Sequence, residues 1–177
     1  MQKSTYRLTF AALCLAAGLA LPFLTFQNPA LGSRLLLMHI PVLLCGLIAG
    51  GRTGAMLGFI LPLLRSLLFG MPPLFPTALT MAFELAAYGL VSGLLYRPGR
   101  DKRQRLLIAL PVAMVCGRIV WGLAAAVFYK AAGMPFGWEI FMAGAFINAL
   151  PGIIIQLALL PPLVILLEKA GVTGSAK

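Results

Sequence analysis

The chain has 177 residues, of which 61% are Ala, Val, Ile, Leu, Met, Phe, Trp, Tyr or Cys and only 10% are charged. Soluble domains carry about 45–50% apolar residues even with Gly included and about 25% charged ones, so this composition excludes both a water-soluble globule and a disordered chain. The formal net charge of +10 and mean hydropathy of +0.99 fit a membrane-embedded chain, whose basic residues report orientation before they report nucleic acid.

A helix crossing the hydrocarbon core takes about 20 residues, which leaves room for roughly six or seven spans and no soluble domain beside them. The first apolar run is Leu8–Leu24, after a basic start with Lys3 and Arg7. A cleaved signal peptide is the rival reading, since Gly18-Leu19-Ala20 resembles a small-x-small cleavage site; a multi-spanning chain needs no cleaved leader. Gln27, Asn28, Pro29, Gly32, Ser33 and Arg34 then form a polar, turn-rich connection. The second and third runs, Leu35–Gly50 and Ala55–Phe69, are joined by the glycine-rich turn Gly50–Gly54. Both are short. They read as two full spans against a ~30 Å core, with a re-entrant hairpin buried by other helices as the alternative.

Prolines in Gly70–Pro76 end the third run, because they cannot continue a helix. The fourth run is Thr77–Tyr96. The hydrophilic stretch Arg97–Arg105 follows, then the fifth run Leu106–Tyr129, a loop through Lys130, Pro135 and Trp138, and the sixth run Ile140–Leu167. The tail from Glu168 reads as disordered. The expected fold is therefore an all-α integral membrane bundle of six transmembrane helices forming one domain.

Charge sidedness orients it. Lys3, Arg7, Arg52, the five basic residues of the Arg97–Arg105 stretch, Lys169 and Lys177 fall on one side, ten in all. Arg34 and Lys130 fall on the other. Basic residues concentrate on the cytoplasmic side, which places both termini there. The re-entrant alternative preserves this parity.

Charges within spans are costly and mark function by default. There are three: Arg65, Glu84 and Arg118. At 1.5 Å per residue they lie roughly 8, 11 and 16 Å below the outer ends of their runs. His39 and Asn148 enter from the same side. Thr80, Glu84, Tyr88 and Ser92 recur at four-residue steps on the fourth helix. Arg118, Trp121, Gly122, Ala125 and Tyr129 stripe the fifth, and Gly144, Asn148, Gly152 and Gln156 the sixth. Such groups inside an apolar wall suit a polar small molecule. The structural counterpart is an ion pair of Glu84 with Arg65 or Arg118 that only holds the bundle together. Even so one arginine is left over, a partner for an anionic ligand group.

Small residues allow close helix approach, and Gly54-x-x-x-Gly58 reads as internal packing. Ala12, Ala16 and Ala20 make one smooth face on the first helix. The three cysteines, Cys14, Cys45 and Cys116, stand singly and His39 is the one histidine, so no metal, disulfide framework or cofactor is expected. There is no phosphate-binding Gly-x-x-x-x-Gly-Lys-Ser/Thr loop, no His-Glu-x-x-His and no Gly-x-Ser-x-Gly elbow. Glu84 lacks a second carboxylate for acid–base work, and no inverted repeat of broken helices is visible. The residues describe a binding protein without its own motor, and not an enzyme.

The stretch His39-Ile40-Pro41-Val42-Leu43-Leu44, Gly46 and Gly50-x-x-x-Gly54-x-x-x-Gly58-Phe59 resembles the substrate-binding S components of energy-coupling factor (ECF) transporters. So does its continuation through Pro62-Leu63-Leu64-Arg65 and Met81–Leu90. The resemblance implies a subunit of the bacterial cytoplasmic membrane that takes a water-soluble vitamin or precursor from outside into a pocket in the outer half of the bundle. It implies that the loop after the first helix, here Thr25–Arg34 with Gln27, Asn28 and Arg34, covers that pocket. It further implies that Ala12, Ala16 and Ala20 dock on a transmembrane coupling protein, and that two ATPase subunits on separate chains supply the energy. The candidate substrate-binding residues are Glu84, Arg118, Asn148, Arg65, Tyr88, Trp121, His39 and Thr80. Two arginines against one glutamate point to a carboxylate or phosphate ligand, pantothenate-like in character. The rival from another class is a non-transport membrane scaffold or envelope-assembly subunit, which has no need of polar stripes on three helices at one depth.

Overall fold

The computed structural model describes residues 2–26, 28–96 and 102–171. Gln27, the segment 97–101 of the basic stretch and the tail 172–177 lie outside the described residues. The described elements are helical: α1 Gln2–Ala20, α2 Pro29–Leu35, α3 His39–Ala49, α4 Gly51–Phe69, α5 Leu79–Leu95, α6 Lys102–Ala131, α7 Trp138–Met142 and α8 Leu150–Lys169. They make up six segments long and apolar enough to cross a membrane: 5–25, 30–49, 51–69, 74–95, 103–131 and 138–169.

The corner between α3 and α4 is sharper than a five-residue turn. Gly50 alone makes it, at φ 102°, a conformation open to glycine because it lacks a Cβ. Its N–H reaches the Gly46 carbonyl, and its own carbonyl accepts from Gly54 N–H, so Gly51–Gly54 are already the first turn of α4. At the other end Gly70, at φ 69°, closes α4 with its N–H on the Ser66 carbonyl, as helix C-termini commonly do. Met71-Pro72-Pro73 then prevents continuation.

Helix α5 is the hub, packed most extensively on α4 and α6 and also against α3. The α3–α4–α5 seam is glycine-dependent. A Cβ on Gly54 would stand 2.6 Å from Gly46 Cα and 2.9 Å from the Gly89 carbonyl oxygen, closer than side chains tolerate. The Gly54/Gly58 step thus serves internal packing, with Gly58 against the Leu85 backbone. Most of α3 is buried, including Val42, Leu43 and Cys45 at 0% exposure. The outward faces carry exposed Leu, Ile, Val and Phe, such as Leu8, Leu67, Ile108 and Leu123, as a lipid-facing surface requires.

Three boundaries differ from the sequence reading. The connection after α1 is not all turn: Asn28 caps the short helix α2 by accepting Ala30 N–H on its side chain at 3.0 Å. Helix α6 begins inside the hydrophilic stretch, so Arg103 and Arg105 are helical, in keeping with the good helix propensity of Arg, Gln and Leu. Helix α8 continues through Glu168, which accepts a 2.6 Å hydrogen bond from the Tyr96 hydroxyl. That bond ties the ends of α5 and α8 together where a disordered tail was expected.

Candidate functional site

A cavity of ≈ 510 Å³ lies at the end of the bundle reached by α2, the start of α3, the end of α4 and the Met71–Pro73 turn. This is within the roughly 300–1,000 Å³ of small-molecule sites. Thr25, Asn28, Gly32 and Ser33 close it on one side, as the covering segment. Met81 and Glu84, three residues apart on one face of α5, line it together with Thr77 from the turn just before that helix. Arg118, Trp121 and Tyr129 come from α6. The wall is mostly apolar, which strengthens any charge interaction inside it.

At the wall, Arg118 Nη1 lies 2.8 Å from Glu84 Oε1, both side chains almost fully buried. His39 Nε2 is 3.5 Å from the same oxygen, too long for a strong hydrogen bond. Tyr88 packs edge-on against His39, with ring centres 5.2 Å apart. The Tyr88 hydroxyl meets the Arg118 guanidinium, and both His39 ring nitrogens are buried without a hydrogen-bond partner among the described residues. Each such atom costs about 1–3 kcal/mol when left unsatisfied. His39 and Arg118 both line the cavity, so their polar atoms are the ones it offers to a ligand.

Arg65 takes a different course. Its Nη1 donates to the Leu19 carbonyl of α1 at 2.7 Å. Its guanidinium sits 5.2 Å from the Phe23 ring centre and 5.4 Å from that of Phe69, within cation–π range. It lines the cavity and is 3% exposed. The ion pair left open between two arginines is therefore Glu84–Arg118, and Arg65 does not orient Glu84.

Of the residues singled out from sequence, Glu84, Arg118, Arg65, His39 and Trp121 line the cavity. Thr80 and Tyr88 do not. Four-residue steps overshoot a 3.6-residue turn by about 40° each, so the stripe Thr80–Ser92 winds through the buried seam and meets the cavity only at Glu84. Thr80 turns its hydroxyl onto the Thr77 carbonyl at 2.8 Å. Asn148 is displaced outright. Residues Ala143–Ile147 form a π turn, with Asn148 N–H on the Ala143 carbonyl at 2.8 Å. The extra residue in that turn shifts the helical register, leaving Gly144 at the cavity and Asn148 exposed on the outside.

In the covering segment, Asn28 faces the cavity whereas Arg34 is exposed in the last turn of α2. Ala12, Ala16 and Ala20 are all exposed on one face of α1. Sequence reasoning missed Met38, Met71 and Met81 in the wall, since apolar residues there look like any lipid-facing position, and Thr77, which read only as the start of the fourth run. It also missed the seat of the covering segment on α8. Gln156, buried, donates Nε2 to the Leu36 carbonyl at 3.3 Å. A Cβ on Gly152 would lie 2.7 Å from the Arg34 carbonyl, so glycine is what lets that segment lie flat. Gly152 and Gln156, one turn apart on a polar stripe, were the available signal.

A six-helix membrane bundle enclosing a ligand-sized cavity with a buried charge pair defines a membrane solute-binding protein. The chain matches the family described as ECF transporter, substrate-specific component, over residues 6–164. It belongs to that family, and is the substrate-specific membrane subunit of an ECF importer. No curated protein matches the chain, and no solved structure does.

Proposed function

We propose that this subunit captures a water-soluble vitamin or related micronutrient from outside the bacterial cytoplasmic membrane and delivers it for ATP-driven uptake. Hydrolysis belongs to two ATPase subunits, linked through a transmembrane coupling protein that meets the Ala12–Ala16–Ala20 face. Both termini and the basic stretch lie in the cytoplasm, on the ten-to-two distribution of basic residues. The observation that carries the reading is the ≈ 510 Å³ cavity bordered by the Glu84–Arg118 pair. Glu84, Arg118, His39 and Arg65 bind the ligand's polar groups, Trp121 provides an aromatic wall, and Tyr88 holds His39 from behind. Thr80 and Asn148 have no direct part.

The test is release and mass spectrometry of small molecules from protein purified in detergent. A defined micronutrient in stoichiometric amount is expected, and Arg118→Ala weakens its binding by about 1.5–3 kcal/mol, the range for hydrogen bonds to charged groups. Protein that neither carries nor takes up any small molecule, under conditions where its uptake system is induced, sinks the reading.

A further inference from the structure

The cavity contains two arginines and one carboxylate, and their geometry divides the labour between them. Arg118 is neutralised by Glu84 at 2.8 Å, so this pair offers hydrogen bonds without net charge. Arg65 has no carboxylate partner among the described residues. One of its N–H groups meets the Leu19 carbonyl and its faces meet Phe23 and Phe69, but a carbonyl dipole and two rings carry no compensating charge. A cation that is 3% exposed and without a counter-ion is strongly unfavourable in a low-dielectric wall. It lines the cavity, so a bound anion is the partner that relieves it.

We infer that the ligand is an anion with a carboxylate or phosphate held by Arg65 and uncharged hydrogen-bonding groups held by the Glu84–Arg118–His39 cluster. This rests on the proposed capture of a small molecule and adds its charge class and orientation. The anionic group sits at the Arg65 end, next to Phe23 and Phe69. The neutral end lies against α5 and α6, where Arg118 and His39 have donors and acceptors to spare. A neutral ligand leaves Arg65 uncompensated, and a cation adds repulsion to it.

The inference is tested with purified protein in detergent, using benzoate, phenyl phosphate and benzamide as probes that share a ring and differ in the polar group. Ligand-induced thermal stabilisation gives the affinities. One of the two anions should bind at least about tenfold more tightly than benzamide, the factor expected for a charge-assisted contact; which of them does so separates carboxylate from phosphate. Arg65→Gln should remove that preference and Arg65→Lys should keep part of it, whatever either does to basal stability. Benzamide binding as well as both anions, or an undiminished anion preference in Arg65→Gln, overturns the assignment, as does absence of any anion binding. Release of a neutral micronutrient from the wild-type protein overturns this charge class alone and leaves capture standing; absence of any captured molecule overturns capture itself.

Discussion

Glu84 has two physical roles that a pair of substitutions separates. It neutralises Arg118 and it faces the cavity. Removing one member of a buried pair strands the other charge, typically at about 3–5 kcal/mol, whereas removing both is far milder. Glu84→Ala is therefore expected to destabilise the protein by that amount, and Glu84→Ala with Arg118→Ala to be more stable than the sum of the single changes predicts. Thermal unfolding in detergent measures both. Additive losses would show that the two side chains do not depend on each other. Asn148→Ala, by contrast, changes an exposed side chain on the outer face and should leave ligand affinity unaltered.

Elements are held together in two different ways with different consequences. At the α4–α5 seam, Gly54→Val forces a branched side chain against the backbones of Gly46 and Gly89. Overpacking of this kind costs about 1–3 kcal/mol and more where backbone must move, so a markedly lower melting temperature is expected. Gly32→Ala, with nothing within 4 Å of the new methyl group and a helical position that favours Ala over Gly, should lose no stability and is the comparison. The covering segment is held differently. Phe26 and Leu36, at φ 49° and 51°, stand in left-handed backbone on either side of α2, and Gln156 bonds the Leu36 carbonyl. Gln156→Leu removes that bond, worth about 0.5–1.5 kcal/mol, and should speed ligand release by roughly two- to tenfold. Stopped-flow dissociation is the measurement, and an unchanged rate would show that the segment is not held through α8.

The whole molecule presents the alanine face of α1 outward while the cavity is built from other helices. Ala16→Trp should therefore preserve ligand binding by the isolated subunit and abolish both uptake and co-purification of the coupling protein. Normal uptake would rule out that face as the docking surface. Orientation is read by single cysteines in a background lacking Cys14, Cys45 and Cys116. A cysteine at Ser33, exposed beside the cavity, should react from outside, and one at Arg103, exposed at the start of α6, only from the cytoplasm. The reverse pattern would invert the topology and remove the case for capture from outside.

Composition and apolar run length were enough to read an all-helical, six-span membrane protein from the chain, because the bilayer imposes that requirement on each segment locally. The His39–Gly58 and Met81–Leu90 stretches likewise carried the family, since a linear pattern of glycines and apolar residues survives without knowledge of contacts. The cavity was legible only in part. Glu84, Arg118, Arg65, His39 and Trp121 were visible because polar residues in hydrocarbon are expensive and have few other reasons to be there. Their partnerships were not, because azimuth and reach across helices depend on how the helices cross. Tertiary structure paired Glu84 with Arg118 rather than Arg65, sent Arg65 to the Leu19 carbonyl, and through one π turn moved Asn148 out of the cavity. A span is decided by the hydrophobicity of its own residues; a site is decided by the register between spans, which a single extra residue in a turn can change.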